Sequence, residues 1–401
     1  MAEAHRREWA FVLATTVRVT RDLDTAEEAV QDAYVQALRT WPRDGVPRRP
    51  GAWLTTAARR NALNALERRK TLQRKLPLLL EPEDAPMPEL HAIPDDRLRL
   101  IFTCCHPALA PEAHVALTLR LVCGVATADI ARAFLVAEAT MAARLTRAKK
   151  KIAAARIPYR VPSVADLPGR LDAVLTVIHL LYSTGHTAHS GQDLVRDDLA
   201  ERALDLARML HLLLPAAREA AGLLALLLVH QARRTTRTDG HGRLLRLEEQ
   251  DRSAWDRELI AEADRLLVAS LTAGPPGRFT LQAAIAAVHA QAAAYEETDW
   301  PQILTLYGAL LRVWPSPVVA LNRAVALSMV DGPEAALAEV EALEREGRLA
   351  GYRYLPATKA DLLHRLGRDA EAVEAYRAAL ALSDNAAEQE FLAERARLLT
   401  P

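Results

Sequence analysis

The densest run of chemistry-bearing residues lies between Ala126 and Lys151. Ala128-Asp129-Ile130-Ala131-Arg132-Ala133-Phe134 has the length of a short helix, and Leu135-Val136-Ala137 that of a tight turn. Glu138 to Lys151 then reads as a second, basic helix. Two short helices and a tight turn are what docking a helix into the major groove of a duplex requires. In that geometry Glu138, Thr140 and Ala143 face the groove, and Arg144 and Arg147 meet phosphates or bases. Lys149, Lys150 and Lys151 form a like-charged patch suited to the backbone. Such contacts release counterions, so binding should be salt-sensitive. A solvated basic helix end, favoured by the helix dipole, would explain the lysine run alone but not the whole constellation.

A second basic stretch carries Arg59, Arg60, Arg68, Arg69 and Lys70, with Asn61 and Asn64 interleaved. Trp41 and Trp53 flank the Pro- and Gly-rich segment Pro42 to Gly51 just before it. A basic helix beside a loop can track phosphates and capture an extruded base of unpaired DNA. Core packing is the commoner fate of either indole ring alone. The preceding stretch places Asp24, Glu27, Glu28, Gln31 and Asp32 on one helical face. Ala29, Val30, Ala33, Tyr34, Ala37 and Leu38 occupy the other. Simple solvation would explain the acidic face.

Other clusters invite metal or acid–base readings and do not sustain them. Cys104, Cys105 and His106, with Cys123 later, lack the two spaced ligand pairs of a zinc site. Adjacent cysteines in an apolar stretch are more often small buried hydrophobes. His179, His186 and His189 have no acidic or cysteine partner recurring nearby. Glu248, Glu249, Asp251, Arg252, Trp255, Asp256 and Arg257 bring carboxylates beside arginines, as general acid–base chemistry would need. No nucleophile, phosphate loop or metal spacing accompanies them. They read as a buried polar network at a helix start. Glu249, Asp251, Arg252, Trp255 and Asp256 also suit an interdomain docking surface. No catalytic residue, metal or cofactor is expected, and the chain is read as a non-enzyme.

The elements that position these residues are helical throughout. Ala, Leu, Arg and Glu fill the long segments, and alternating strand patterns are nearly absent. Helices are expected near Arg6–Thr20, from about Thr25, and over about Ala52–Lys70. Thr25 and Glu28 resemble a capping box at the start of the second. Residues 76–95 hold several prolines and acids, the chemistry of an exposed linker. A second compact block runs from about Asp96 to Arg156 and ends at Pro158, Pro162 and Pro168. Tyr307, Val340 and Tyr376 recur at intervals of 33 and 36 residues, close to the TPR period of about 34. That predicts stacked helix pairs near the C-terminus.

The 401 residues carry 51 Lys plus Arg against 51 Asp plus Glu, a net charge of zero. The balance hides a split. Residues 1–160 hold 26 basic and 18 acidic residues, a net of +8, and residues 161–401 hold 25 and 33, a net of −8. A basic half joined to an acidic half points to nucleic acid. Three cysteines are no disulfide framework, so a reducing compartment is expected. The charged N-terminus lacks a signal peptide's apolar core. The longest apolar run, Leu223 to Val229, is too short to span a bilayer, so a cytoplasmic location with no membrane contact follows.

Two blocks carry a family resemblance. Asp24-Thr25-Ala26-Glu27-Glu28-Ala29-Val30-Gln31-Asp32-Ala33-Tyr34 resembles the core-polymerase-binding helix in region 2 of a bacterial extracytoplasmic-function sigma factor. Pro50-Gly51-Ala52-Trp53-Leu54, Ala58-Arg59-Arg60-Asn61 and Arg68-Arg69 resemble its −10 recognition elements. Residues 97–156 look like region 4, whose helix-turn-helix reads the −35 element. Phe102-Thr103-Cys104-Cys105-His106-Pro107 and the stretch Leu245 to Asp256 resemble signatures of the group with a long TPR-like C-terminal extension. In that group the extension is thought to stand in for an anti-sigma factor and to be needed for activity.

The resemblance implies an all-α protein. Region 2 would occupy 1–75, the linker 76–95, region 4 96–160, a helical extension 161–280 and TPR-like repeats 281–401. It implies binding to core RNA polymerase through Glu27, Glu28, Gln31, Asp32 and Tyr34, and to promoter DNA. Trp53, Arg59, Arg60, Asn61, Asn64, Arg68 and Arg69 would engage the −10 strand. Ala142 and Ala143 stand where many relatives carry Lys and Ser, so promoter specificity does not transfer. The acidic extension is expected to touch the basic half and to screen or support its DNA binding. The rival reading is a one-component helix-turn-helix regulator with a TPR-like sensing domain, acting without polymerase.

Overall fold

The computed structural model describes residues 2–75, 96–134, 136–163, 165–186, 194–239, 245–383 and 386–399. The linker 76–95, Leu135 of the turn and His189 lie outside them, as do the side chains of Arg69, Lys70 and His186. The described residues hold helices and no strand, in two compact units, Met1–Leu181 and Tyr182–Pro401.

The first unit begins with three helices, α1 (Ala2–Thr20), α2 (Leu23–Asp44) and α3 (Pro50–Lys75). Trp9, Leu13 and Val17 of α1, Ala26, Val30 and Ala33 of α2, and Leu54, Ala58 and Ala62 of α3 are buried at helical spacing. The small residues let the helices approach closely. α2 starts two residues before the sequence reading. Its cap is Asp22, whose carboxylate accepts from the Thr25 backbone N at 2.7 Å and from the Thr25 hydroxyl at 2.5 Å. Thr25 therefore lies inside the helix and is not its cap. Arg21, with φ +54°, makes the reversal that brings Asp22 to this position. The expected loop Pro42–Gly51 is also shorter. α2 runs through Pro42 to Asp44 and ends at Gly45, whose φ of +82° suits glycine, and Pro50 opens α3.

Next come α4 (Asp96–Cys104) and α5 (Pro111–Leu117), which continues as a π-helical turn over Thr118–Val122. α6 (Thr127–Ala133) and α7 (Glu138–Ala154) follow. α4 to α7 pack as one block, and α1 packs on α4 and on the π-turn. Trp9 of α1 donates its indole N–H to Leu121 O at 3.0 Å. The Tyr159 hydroxyl lies 2.9 Å from Ala14 O and 3.2 Å from Asp96 O. α8 (Leu167–His186) carries the division between units. Its first part belongs with α4, where Arg170 donates to Phe102 O at 2.6 Å.

The second unit contains α9 (Leu194–Leu213), α10 (Arg218–Ala232), α11 (Arg257–Thr272) and α12 (Arg278–Gln291). The apolar run Leu223–Val229 is wholly buried in α10, which packs against α9, α11 and α12. Gly222 is required there, since a Cβ would lie 2.7 Å from Thr280 N. Three antiparallel pairs complete the unit: α13 (Trp300–Val313) with α14 (Pro317–Val330), α15 (Pro333–Glu346) with α16 (Tyr354–Arg365), and α17 (Asp369–Ala381) with α18 (Ala386–Leu398). Tyr307, Val340 and Tyr376 fall in the first helix of successive pairs. Among the described residues no helix is long and apolar enough to cross a membrane.

Candidate nucleic-acid interface

α6 and α7 sit where the sequence placed a helix-turn-helix. Met141, Leu145, Ala148 and Ile152 of α7 are buried at helical spacing and fasten the helix to its block. That leaves Glu138, Thr140, Ala143, Arg147, Lys150 and Lys151 exposed and Arg144 half-buried. These residues share a solvent side whose chemistry suits phosphates and base edges.

Lys149 does not join them. Its ammonium donates to Glu27 Oε2 at 2.6 Å and to Asp24 Oδ1 at 2.8 Å, and its side chain is only 13% exposed. Burial alone would depress its pKa, but Glu27 and Asp24 outweigh that and hold it above the usual lysine value. Glu27 is itself 5% exposed and has a second cationic partner, Arg120 of the π-turn, at 2.5 Å. Arg120 also donates to Val125 O at 3.1 Å, so it ties α2 to the loop before α6. A residue expected on DNA phosphates and one expected on polymerase thus neutralise each other.

The remaining α2 candidates divide. Glu28, Gln31 and Asp32 are exposed. Tyr34 is buried, with its ring centroid 5.0 Å from His5 and 5.7 Å from Trp9, and its hydroxyl has no hydrogen-bond partner among the described residues. Burial, with Glu8 nearby, raises its phenol pKa. It is a core residue here. On α3, Arg59, Arg60, Asn64 and Arg68 are exposed and Trp53 is half-buried, edge-on to buried Trp41 at 5.6 Å. Asn61 donates to Ala29 O at 3.2 Å and so fastens α3 to α2. Arg60 reaches Gln36 Oε1 at 3.2 Å.

The sequence reading missed Arg120 and Trp9. A signal existed for Arg120: a lone cation inside Val115 to Val125, otherwise largely apolar, needs a buried partner. Cys104 and Cys105 are fully buried, and burial pushes the Cys105 thiol up to about 12 despite its contact with the Thr118 hydroxyl. No group of metal-ligating side chains occurs among the described residues.

The Glu248–Asp256 cluster organises the second unit from within. Asp251 accepts from Ser253 N at 2.9 Å, and Asp256 caps α11 through Glu258 N and Leu259 N. Glu249 accepts from Arg246 N at 2.7 Å. Arg252 is 5% exposed and donates to His289 O, Ala292 O and Thr298 Oγ1. The Trp255 indole donates to Thr236 Oγ1 at 2.9 Å.

Comparison with known proteins finds three family matches along the chain. Residues 4–71 match the sigma-70 region 2 family and residues 99–152 the sigma-70 region 4 family. Residues 170–271 match a family of unknown function, DUF6596. An uncharacterized protein of Rhizobium meliloti (strain 1021) is 44% identical over 388 residues, covering 95% of this chain and 91% of the relative. No solved structure matches. Sigma-70 regions 2 and 4 follow one another in the chain, with the DUF6596 extension after them, so the chain belongs to the extracytoplasmic-function-type sigma factors and directs RNA polymerase to promoters.

Proposed function

We propose that the free protein keeps regions 2 and 4 locked on each other and opens when core polymerase takes the α2 face. The observation that carries this reading is the pairing of Lys149 with Glu27. The −10 and −35 elements stand about 25 base pairs apart, roughly 85 Å of duplex at 3.4 Å per pair. Two domains joined by contacts of 2.6 and 2.8 Å cannot serve both ends at once. The 20 residues from 76 to 95 can span about 65–70 Å when extended. Together with the radii of two small domains, about 10 Å each, that chain length permits the separation once the lock is released.

In the open form, Glu138, Thr140, Ala143, Arg144, Arg147, Lys150 and Lys151 hold the −35 duplex, and Lys149 joins them. Trp53, Arg59, Arg60, Asn64, Arg68 and Arg69 engage the −10 strand, with Asn61 holding the helix that presents them. Glu27, Glu28, Gln31 and Asp32 meet core polymerase. The factor acts in the cytoplasm by binding, with no catalysis of its own, and the extension regulates or supports it. Co-purification with core polymerase followed by run-off transcription tests the reading. The expected result is weak promoter binding by the free chain and strong binding once core is added. Failure to bind core, or equal promoter affinity with and without core, would overturn it.

A further inference from the structure

The second unit holds an arrangement that promoter binding does not use. Arg233, just past the end of α10, places its guanidinium 5.1 Å from the centre of the Trp255 ring. Arg252 places its own 5.2 Å from the same ring. The ring is 2% exposed, so neither cation stacks there merely for want of room in solvent. Arg237 adds a third positive charge to the field at Arg233. His289, at the end of α12, lies within the field of Arg233 and Arg252, and its buried Nδ1 has no hydrogen-bond partner among the described residues.

The two stacked arginines differ. Arg252 has three acceptors, and the carboxylates of Glu296 and Glu297 lie in its field. Arg233 has no carboxylate or acceptor among the described residues, and its buried Nε, like that of Arg252, is unpaired there. Burial, and then the positive charges of Arg237 and Arg252, pull its pKa down to about 10 against the opposing pull of Tyr182. Taking a guanidinium out of water without a counter-charge costs more than stacking on an indole returns. Proteins keep such a group where a ligand completes it.

We propose that Arg233, backed by Arg237 and Arg252, binds the oxyanion group of a small molecule, a phosphate or a carboxylate. The chemistry is a planar donor fork facing a multiply charged acceptor, the pairing for which Arg is best suited. Arg237 also lies in the field of Tyr354, at the start of α16, so the cluster spans from α10 toward the repeat array.

The test uses the full chain. Thermal unfolding is followed in sodium chloride, sodium phosphate and sodium citrate at matched ionic strength, for the natural protein and Arg233→Met. A saturable rise with phosphate alone assigns a phosphate ligand, and a rise with citrate alone assigns a carboxylate. At a hundredfold excess over Kd the rise should be roughly 5–10 °C. Arg233→Met should abolish it and should not lower the Tm in chloride, because an unpaired charge has been removed. A second readout is the His289 ring resonance by NMR, which should titrate at higher pH with the effective anion present. No anion-specific rise in the natural protein, or an undiminished rise in Arg233→Met, overturns the proposal. So does a loss of several degrees by Arg233→Met in chloride.

Discussion

Consider replacing Glu27 with Gln. The carboxylate receives Lys149 at 2.6 Å and Arg120 at 2.5 Å, and the three side chains are 7%, 13% and 18% exposed. Losing the charge strands two poorly solvated cations. Lys149 retains Asp24, but that carboxylate is 68% exposed and its pull is screened. Removing one partner of a buried pair costs about 3–5 kcal/mol. Residual solvation here brings the expected cost to roughly 2–4 kcal/mol. Arg120→Met alone removes one charged hydrogen bond to Glu27, about 1.5–3 kcal/mol, plus its bond to Val125 O. A double-mutant cycle of Glu27→Gln with Arg120→Met separates the pair from that second bond, and the coupling should be about 1.5–3 kcal/mol. The assay is single-molecule energy transfer between dyes at Arg39→Cys on α2 and Arg147→Cys on α7, both exposed positions. The separated population should rise roughly 10- to 150-fold in Arg120→Met and at least as much in Glu27→Gln. A coupling below about 0.5 kcal/mol, or unchanged energy transfer in Glu27→Gln, would refute the lock.

Three further outcomes follow from the same geometry. Gly124 has φ +68°, and a Cβ there would lie 2.9 Å from the Trp9 ring, so Gly124→Ala should loosen α1 from the π-turn by about 1–3 kcal/mol. Energy transfer between the same dyes would fall, and an unchanged signal would show that Trp9 packing does not hold the blocks together. His289 is pushed down to about 4, first by burial and then by Arg233 and Arg252. Its unfolded form takes up protons first, so the second unit should lose up to about 3 kcal/mol as pH falls from about 6.5 to 4. Urea unfolding across that range checks the loss, and His289→Gln should flatten it. Cys105, with its thiol at about 12 and no exposure, should react with iodoacetamide at pH 8 about 1000-fold more slowly than after unfolding. Mass spectrometry of native and denatured samples measures the ratio, and a difference under tenfold would contradict the burial.

Helical periodicity exposed most of the fold because α7 and α10 differ plainly in what they bury. α7 carries one apolar stripe, Met141, Leu145, Ala148 and Ile152, and the solvent side could be read off by subtraction. α10 is apolar all round and had to be central. The repeat spacing placed Tyr307, Val340 and Tyr376 on equivalent helices for the same reason. Local ends were harder. Asp22 and Thr25 are both good caps, and only the backbone reversal at Arg21 selects the aspartate. Tyr34 fell on the apolar face of α2 in the sequence, and only the family resemblance counted it among the polymerase contacts. Nothing nearby in sequence announces His5 and Trp9, which cover its ring from another helix.

Long-range ion pairs were least legible, and the reason is chemical. A lysine ammonium meets a phosphate and a carboxylate through the same donors at the same distances. Lys149 and Lys150 are adjacent and identical in type, yet one is tucked onto Glu27 and the other faces solvent. The same holds for the acids of α2, where Glu27 is buried and Glu28 is not. A surface built to grip DNA and a surface built to grip polymerase are complementary to each other by construction. Whenever both sit on one chain, each is the other's nearest available mimic. Pairing Lys149 and Arg120 with Asp24 and Glu27 leaves the net charge of +8 over residues 1–160 unchanged, since those acids are already counted in it, but it takes Lys149 away from its neighbours on the solvent side of α7. On the proposed opening, Lys149 would return to the DNA side as polymerase covers Asp24 and Glu27, which would couple promoter affinity to core binding.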